Sequence, residues 1–351
     1  MVSSVAPWNL SGPVRTLRVE FAEWDVSKEQ WKAPRHVNVV QFNTDGSIKE
    51  NVHHNQDGSV SISKNIYDEA GHLMESQFQF NNGPVTKRRY SYNDLGRLIR
   101  SMFVDENNIE RDYEVYTYDN AGRKTNLQFV LEPPGMNGRT MHGIEGTEQC
   151  YFAEGVVTIT TGYDDQERPT EALFHDAEQR VVLRVTLARD TAGRLVNEQA
   201  YIGERLKFSE GDQAAQNMPP EDQAAVATMF DQFFGPGNMM SSIEYRYDDR
   251  GRRIEQLTDL SGMGEKRTSW YYDEHDNTIR QIEEDTSREM RLDESGNLHP
   301  ENEKSFKSEV RFDYQYDSQG NWTERVVSVL YERNPDFQRS NIERRQITYY
   351  L

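Results

Sequence analysis

The sequence has little of what usually announces a mechanism. Cys150 is the only cysteine in 351 residues, so an intramolecular disulfide framework and a thiolate metal cluster are both excluded. The eight histidines are scattered, and only His53 and His54 near Asp57, and His175 beside Asp176, cluster locally. Neighbouring residues on a strand point to opposite faces, so His53 and His54 cannot chelate together there. There is no Walker loop, no His-Glu-x-x-His and no Gly-x-Ser-x-Gly elbow. Ser61 and Lys64 match Ser-x-x-Lys, but they sit in alternating, strand-like sequence with no partner motif. No complete calcium loop is present either. The expectation is no catalytic residue, no metal site and no cofactor.

Long apolar runs are missing as well. No stretch approaches 18 apolar residues, so no transmembrane helix is expected. Met1–Trp8 lacks a basic region followed by an apolar core, so no signal peptide is expected there, and the compartment is left open. The apolar share is 35%, and with the 23 glycines added it still falls below the roughly 45–50% of globular chains. Positive charge is also short, with 40 basic against 59 acidic residues and a net charge of -19. Such a field repels phosphate, which argues against nucleic acid and anionic membranes as partners.

What is present is aromatic. Tyrosine, phenylalanine and tryptophan make up 11% of the chain, whereas a disordered chain is poor in them. A mean hydropathy of -0.90 in a folded chain implies a large surface relative to the core, as in an extended or curled sheet.

A repeat runs from about residue 42 to 322. Its clear copies are Tyr67-Asp68 with Gly71, Tyr92-Asn93 with Gly96, Tyr118-Asp119 with Gly122, Tyr247-Asp248 with Gly251, and Tyr316-Asp317 with Gly320. Degenerate copies stand at Tyr163-Asp164, Arg189-Asp190, Tyr272-Asp273 and Leu292-Asp293, with weaker echoes at Phe42-Asn43 and His54-Asn55. Ahead of the aspartate, aromatics alternate, as in Tyr90-x-Tyr92 and Tyr245-x-Tyr247, which is the period of a strand. The aspartate can accept from backbone amides two residues on, and the glycine tolerates a positive φ, so each motif predicts a hairpin turn. At about 25 residues per unit, ten units supply roughly twenty strands. An open sheet of that size usually curls, splits or closes.

These residues resemble the tyrosine-aspartate repeat of the Rhs/YD family. The family includes bacterial rearrangement-hotspot proteins, the shell subunits of insecticidal toxin complexes and the teneurin shell. The resemblance implies an all-β antiparallel meander of tandem hairpins, wound into a spiral or partly closed shell as one continuous domain over 1–351. It points to a short stand-alone member, because Glu343–Leu351 reads as a strand and not as an autoproteolytic core followed by toxin cargo. The motif tyrosines imply a ring ladder.

Two segments interrupt the repeat. Residues 131–149 are rich in proline and glycine and predict a surface loop. Residues 209–241 predict a helical insertion. Pro219, Pro220, Glu221 and Asp222 form a start signal, Phe230 and Phe233 lie on the apolar face, and Gly235-Pro236-Gly237 is the stop. That face either caps the sheet or docks a partner. Function is expected to be a non-enzymatic binding or interaction scaffold for carbohydrate or another protein at a cell surface, with Trp270, Trp322, Phe230 and Phe233 as binding candidates. The alternatives are a glycan hydrolase using carboxylates on a concave face, and a purely structural spacer. The oligomeric state is not legible.

Overall fold

A computed structural model describes residues 8, 10–105, 107–130, 139–144, 147, 149–203, 235–261, 264–292, 298–331 and 336–350. The chain divides into two compact units. Unit 1 comprises 1–112, 271–281 and 308–351, and unit 2 comprises 113–270 and 282–307.

Unit 1 holds β1 (Val14–Asp25), β2 (Gln30–Trp31), β3 (His36–Phe42), β4 (Ile48–His54), β5 (Val60–Tyr67), β6 (Leu73–Phe80), β7 (Thr86–Tyr92) and β8 (Leu98–Val104). The boundary falls within β9 (Glu110–Tyr118). Unit 2 continues with β10 (Lys124–Phe129), β11 (Arg139–Gly143), β12 (Cys150–Glu154), β13 (Thr158–Tyr163), β14 (Pro169–His175), β15 (Val181–Arg189) and β16 (Leu195–Ile202). It goes on through β17 (Met239–Tyr247), β18 (Arg253–Asp259) and most of β19 (Gly264–Tyr272). Two long strands, β20 (Thr278–Leu292) and β21 (Leu298–Tyr316), belong partly to each unit, and β22 (Trp322–Tyr331) and β23 (Gln338–Tyr349) belong to unit 1.

The expectation of a spiral or partly closed shell with one helical insertion is corrected. Apart from the small β11–β12 sheet, the strands form one sheet, and its first strand is paired on both sides. β1 runs antiparallel to β3, with Leu17 opposite Val40, and also to β23, with Leu17 opposite Ile347. The ladder therefore returns on itself as a closed antiparallel circuit of 20 strands, with the two-residue β2 attached to β1. Closure satisfies the backbone groups that an open edge would leave unpaired.

No α-helix occurs among the described residues. The expected helix, with Phe230 and Phe233, lies outside them, while residues 239–241 of that segment belong to β17. Within the expected loop 131–149, Arg139–Gly143 pairs with β12 as a hairpin.

Alternation sets the faces. In unit 1, Leu17, Val40 and Phe42 are fully or almost fully buried on one face. The opposite face carries cross-strand ion pairs, such as Lys64–Glu50 at 3.1 Å and Arg89–Glu75 at 2.8 Å. In unit 2, Ala172, Phe174, Leu183 and Val185 are buried, and Arg184 pairs with Glu171 across the other face at 2.6 Å. This arrangement explains how a chain so poor in apolar residues folds, since one residue in two on each strand can be charged.

The turns share one geometry. At Asp248, its N–H donates to the Arg252 carbonyl at 2.9 Å and its carbonyl accepts from Gly251 at 3.0 Å. Its Oδ1 accepts from the amides of Arg250 and Arg252, and its Oδ2 accepts from Arg252 Nε at 2.7 Å. The same pattern recurs at Asp119–Arg123, Asp164–Arg168, Asp176–Arg180 and Asp190–Arg194. The residue before the arginine is left-handed throughout. Gly251 has φ 79°, and Glu167 and Gln179 take the same conformation where glycine is missing.

The motif tyrosine then ties one hairpin repeat to an earlier one. The hydroxyls of Tyr67, Tyr92, Tyr163 and Tyr247 donate to the carbonyls of Ile48, Leu73, Lys124 and Leu195 at 2.6–2.9 Å. Each acceptor stands two residues past a left-handed glycine. Arg194 of one turn lies 5.1 Å over the Tyr247 ring of the next.

Two expected outcomes follow. Leu17→Ala, at the fully buried centre of β1, lowers stability by about 2–5 kcal/mol in urea unfolding, whereas Tyr247→Phe, losing one hydrogen bond, costs about 0.5–1.5 kcal/mol. The carboxyls of Asp164 and Asp190 are held below their ordinary 3.8 by the side-chain and then the backbone hydrogen bonds of Arg168 and Arg194. Their contribution is thus complete above the unfolded value and is lost as pH falls through the lowered folded values. The melting temperature should fall below about pH 4, and this acid-dependent step should shrink in Asp164→Asn/Asp190→Asn.

Candidate functional site

A cavity of about 520 Å³ opens in unit 1, within the range of small-molecule sites. Its walls come from β20, β21, β22 and β23, together with Trp8 from the segment before β1. Register explains why these side chains meet. Tyr314 of β21 is opposite Arg325 of β22, Arg325 is opposite Glu343 of β23, and Arg345 is opposite Val19 of β1. All therefore share the face that carries the buried Leu17 and Val40.

The centre of the wall is a cation on an aromatic ring. The Arg345 guanidinium carbon lies 3.3 Å from the Trp322 ring centroid, and that of Arg325 lies 5.1 Å away. Trp322 is only 4% exposed, and the Tyr314 ring meets it edge-on at 5.9 Å. Trp322 is thus a platform for arginine and not an open stacking surface. Half-buried Phe312 and Tyr314 supply the accessible aromatic wall, and Asp276, Asn277, Thr278 and Gln281 supply amide, hydroxyl and carboxyl groups.

The arginines are incompletely paired. Arg325 donates to Glu343 Oε2 at 2.6 Å, and Arg345 donates to the Trp8 carbonyl at 2.8 Å. Arg345 Nε is 3.7 Å from Glu343, too far for a hydrogen bond, and the buried Nε atoms of both arginines have no partner. One carboxylate therefore serves two guanidiniums. Burial pushes the Arg345 guanidinium down to about 10, with Glu343 pulling the other way. Burial also raises the Tyr314 phenol, whose hydroxyl donates to the Thr278 carbonyl at 2.9 Å.

One end of the cavity is built from a variant of the repeat turn. At Asp273 and Asp317 the arginine is replaced by Asn277 and Asn321. A tyrosine hydroxyl takes the arginine's place, Tyr316 donating to Asp273 Oδ2 at 2.5 Å and Tyr349 to Asp317 Oδ2 at 2.6 Å. Asn277 Nδ2 then donates to the Tyr316 hydroxyl at 2.9 Å, which holds Asn277 in the cavity wall.

Of the binding candidates read from the sequence, Trp322 lies in this site. Trp270 is half-buried at the end of β19 in unit 2 and forms no part of it. The motif residues Tyr67, Asp68, Gly71, Tyr92, Gly96, Tyr118, Asp119, Gly122, Tyr247, Asp248, Gly251, Asp317 and Gly320 lie on strand ends and turns, with each of these glycines at positive φ. Tyr272 ends β19 and precedes the Asp273 turn. Nothing in the sequence singles out Arg325 or Arg345 strongly. Arg345 stands in a Glu-Arg-Arg run that looks solvated, and the only available hint was the Trp322-x-x-Arg325 spacing.

Unit 2 contains a different buried group. Glu198 of β16, 1% exposed, accepts the Tyr151 hydroxyl and faces the Tyr245 hydroxyl at 3.4 Å. Burial, and then Glu198, push the Tyr151 phenol far above its ordinary value. The contact ties β12 to the core of unit 2. Among the described residues no group of three or more His, Cys, Asp or Glu side chains is placed to hold a metal ion, and no helix is long and apolar enough to cross a membrane.

No protein-family model matches the chain, and no curated protein matches it. Solved structures resemble it only weakly. A porin-like protein from Bacteroides uniformis is 10% identical with a TM-score of 0.32, over 97% of this chain and 99% of that one. The TcdB2-TccC3-Cdc42 structure is 14% identical with a TM-score of 0.27, covering 86% of this chain but 16% of that one. The Photorhabdus luminescens Tc holotoxin pore is 14% identical with a TM-score of 0.18, covering 90% of this chain and 19% of that one. The chain thus spans less than a fifth of the two toxin chains, and likeness this low identifies neither a family nor an activity.

Proposed function

We propose that the protein is a non-enzymatic binding scaffold for carbohydrate, with the Trp322 cavity of unit 1 as its ligand site. The observation that carries this reading is the combination, in the lining of one 520 Å³ cavity, of half-buried aromatic residues with amide- and hydroxyl-bearing ones. Sugars present an apolar C–H face and a rim of hydroxyls, which this pairing of surfaces matches. The repeat carboxylates serve a different purpose. Asp119, Asp164 and Asp190 are held ionised by their turn hydrogen bonds, a state that keeps turns closed and suits no proton donor.

The test is a thermal-shift screen of the intact chain against neutral and acidic oligosaccharides. A ligand that binds only the folded state at a hundred times its Kd should stabilise by about 2.7 kcal/mol. Gln281→Ala, a change in the cavity wall, should weaken that ligand, with the melting of the unliganded variant as the reference. A screen in which no saccharide raises the melting temperature overturns the proposal, as does a saccharide whose binding ignores Gln281→Ala.

A further inference from the structure

We infer that the saccharide held by the Trp322 cavity carries a carboxylate, as a hexuronic acid unit does, and that Arg345 is the residue that recognises it. This inference rests on the binding-scaffold reading and adds the chemical class of the ligand.

The argument starts from a buried cation with too few partners. The Arg345 side chain is only 6% exposed, yet it lines the cavity. Of its five N–H donors, the described residues satisfy one, through Nη1 on the Trp8 carbonyl. Its Nε is buried without a hydrogen bond, and Nη2 makes none among the described residues. A guanidinium removed from water without matching acceptors is costly unless another group meets it.

Charge points the same way. Glu343 gives its short contact to Arg325 and leaves Arg345 at 3.7 Å. Asp276 stands elsewhere on the wall. The pair of guanidiniums therefore retains positive charge toward the cavity, in a chain whose net charge is -19. Nothing in the general field attracts an anion here, so the positive spot is a local feature of the site.

Shape then selects the anion. A guanidinium presents parallel donors in a plane and matches a carboxylate in two-point fashion. Trp322 beneath Arg345 fixes that plane, which prepares the fork before the ligand arrives. Next to it, Asn277, Thr278 and Gln281 offer partners for ring hydroxyls, and Phe312 and Tyr314 offer a surface for the ring. An acid group attached to a hydroxylated ring uses all three parts.

The experiment is calorimetric titration of the intact chain with trigalacturonic acid and with its fully methyl-esterified form, in which each carboxylate becomes a neutral ester bearing one added methyl group. The acid should bind about 10- to 100-fold more tightly than the ester, the span expected for charge-assisted hydrogen bonds. Arg345→Gln should erase that preference, bringing acid and ester to the same affinity. The acid–ester comparison needs no variant, so it decides the matter even if Arg345→Gln fails to fold. Equal binding of acid and ester overturns the carboxylate inference and leaves the saccharide reading standing. Binding of neither, with no saccharide active in the thermal screen, overturns both. A short peptide with a free C-terminal carboxylate that binds where the acid does not would also overturn it.

Discussion

The pairing of β1 on both sides is the constraint on which the sheet depends. A strand at the end of a meander exposes a row of N–H and C=O groups that invite another chain. Here β3 takes one side of β1 and β23 takes the other, from Val14 opposite Tyr349 to Glu23 opposite Asn341. The partners are far apart in sequence, and the hydroxyls of Thr16 and Thr348 meet at 2.5 Å across 332 residues. Loop-closure entropy opposes so distant a contact, and it is favourable only once the intervening hairpins have formed. The turns therefore have to be strong enough locally to hold the meander until its ends meet.

The repeat supplies that strength in two ranges. Within a turn, the aspartate closes a ring of backbone and guanidinium donors over five residues, so the hairpin is favoured before any distant contact exists. Between turns, the tyrosine hydroxyl reaches a carbonyl of an earlier unit, 19 residues back for Tyr67 and Tyr92 and 52 for Tyr247. Where Asn277 and Asn321 replace the arginine, the tyrosine moves onto the aspartate itself. Losing one partner therefore does not open the turn. It exchanges an ion pair within one repeat for a hydrogen bond from a tyrosine of another repeat.

Range also explains what the sequence made legible. Alternating aromatics, Asp-x-x-Gly turns and an all-β architecture are local patterns, and each could be read a few residues at a time. Closure could not be read, because nothing in Leu17-x-Val19 distinguishes a strand paired once from a strand paired twice. The cavity was hidden for the same reason. Arg344 and Arg345 are adjacent and chemically alike, yet register sends Arg344 to Glu324 at 3.0 Å on one face and Arg345 onto Trp322 on the other. Trp322 was visible as an aromatic, but its role as a support for arginine was not. Glu198 shows the same limit, since only its place in the alternation with Ala200 and Ile202 sets it in a core.

The two units resolve buried charge in opposite ways, and the contrast bears on function. In unit 2, Glu198 is enclosed by tyrosine hydroxyls inside an apolar cluster, so its needs are met within the fold. In unit 1, Arg345 is also buried but faces a cavity, and its Nε makes no hydrogen bond among the described residues. A fold seeking only stability would replace such a cation with an apolar side chain of similar volume, a change that is often neutral or stabilising. Trp322 instead holds the guanidinium in place and excludes water from one of its faces. On the proposed reading, that arrangement exchanges stability of the unliganded protein for affinity toward a carboxylate, because the cation is already desolvated and oriented when the ligand arrives.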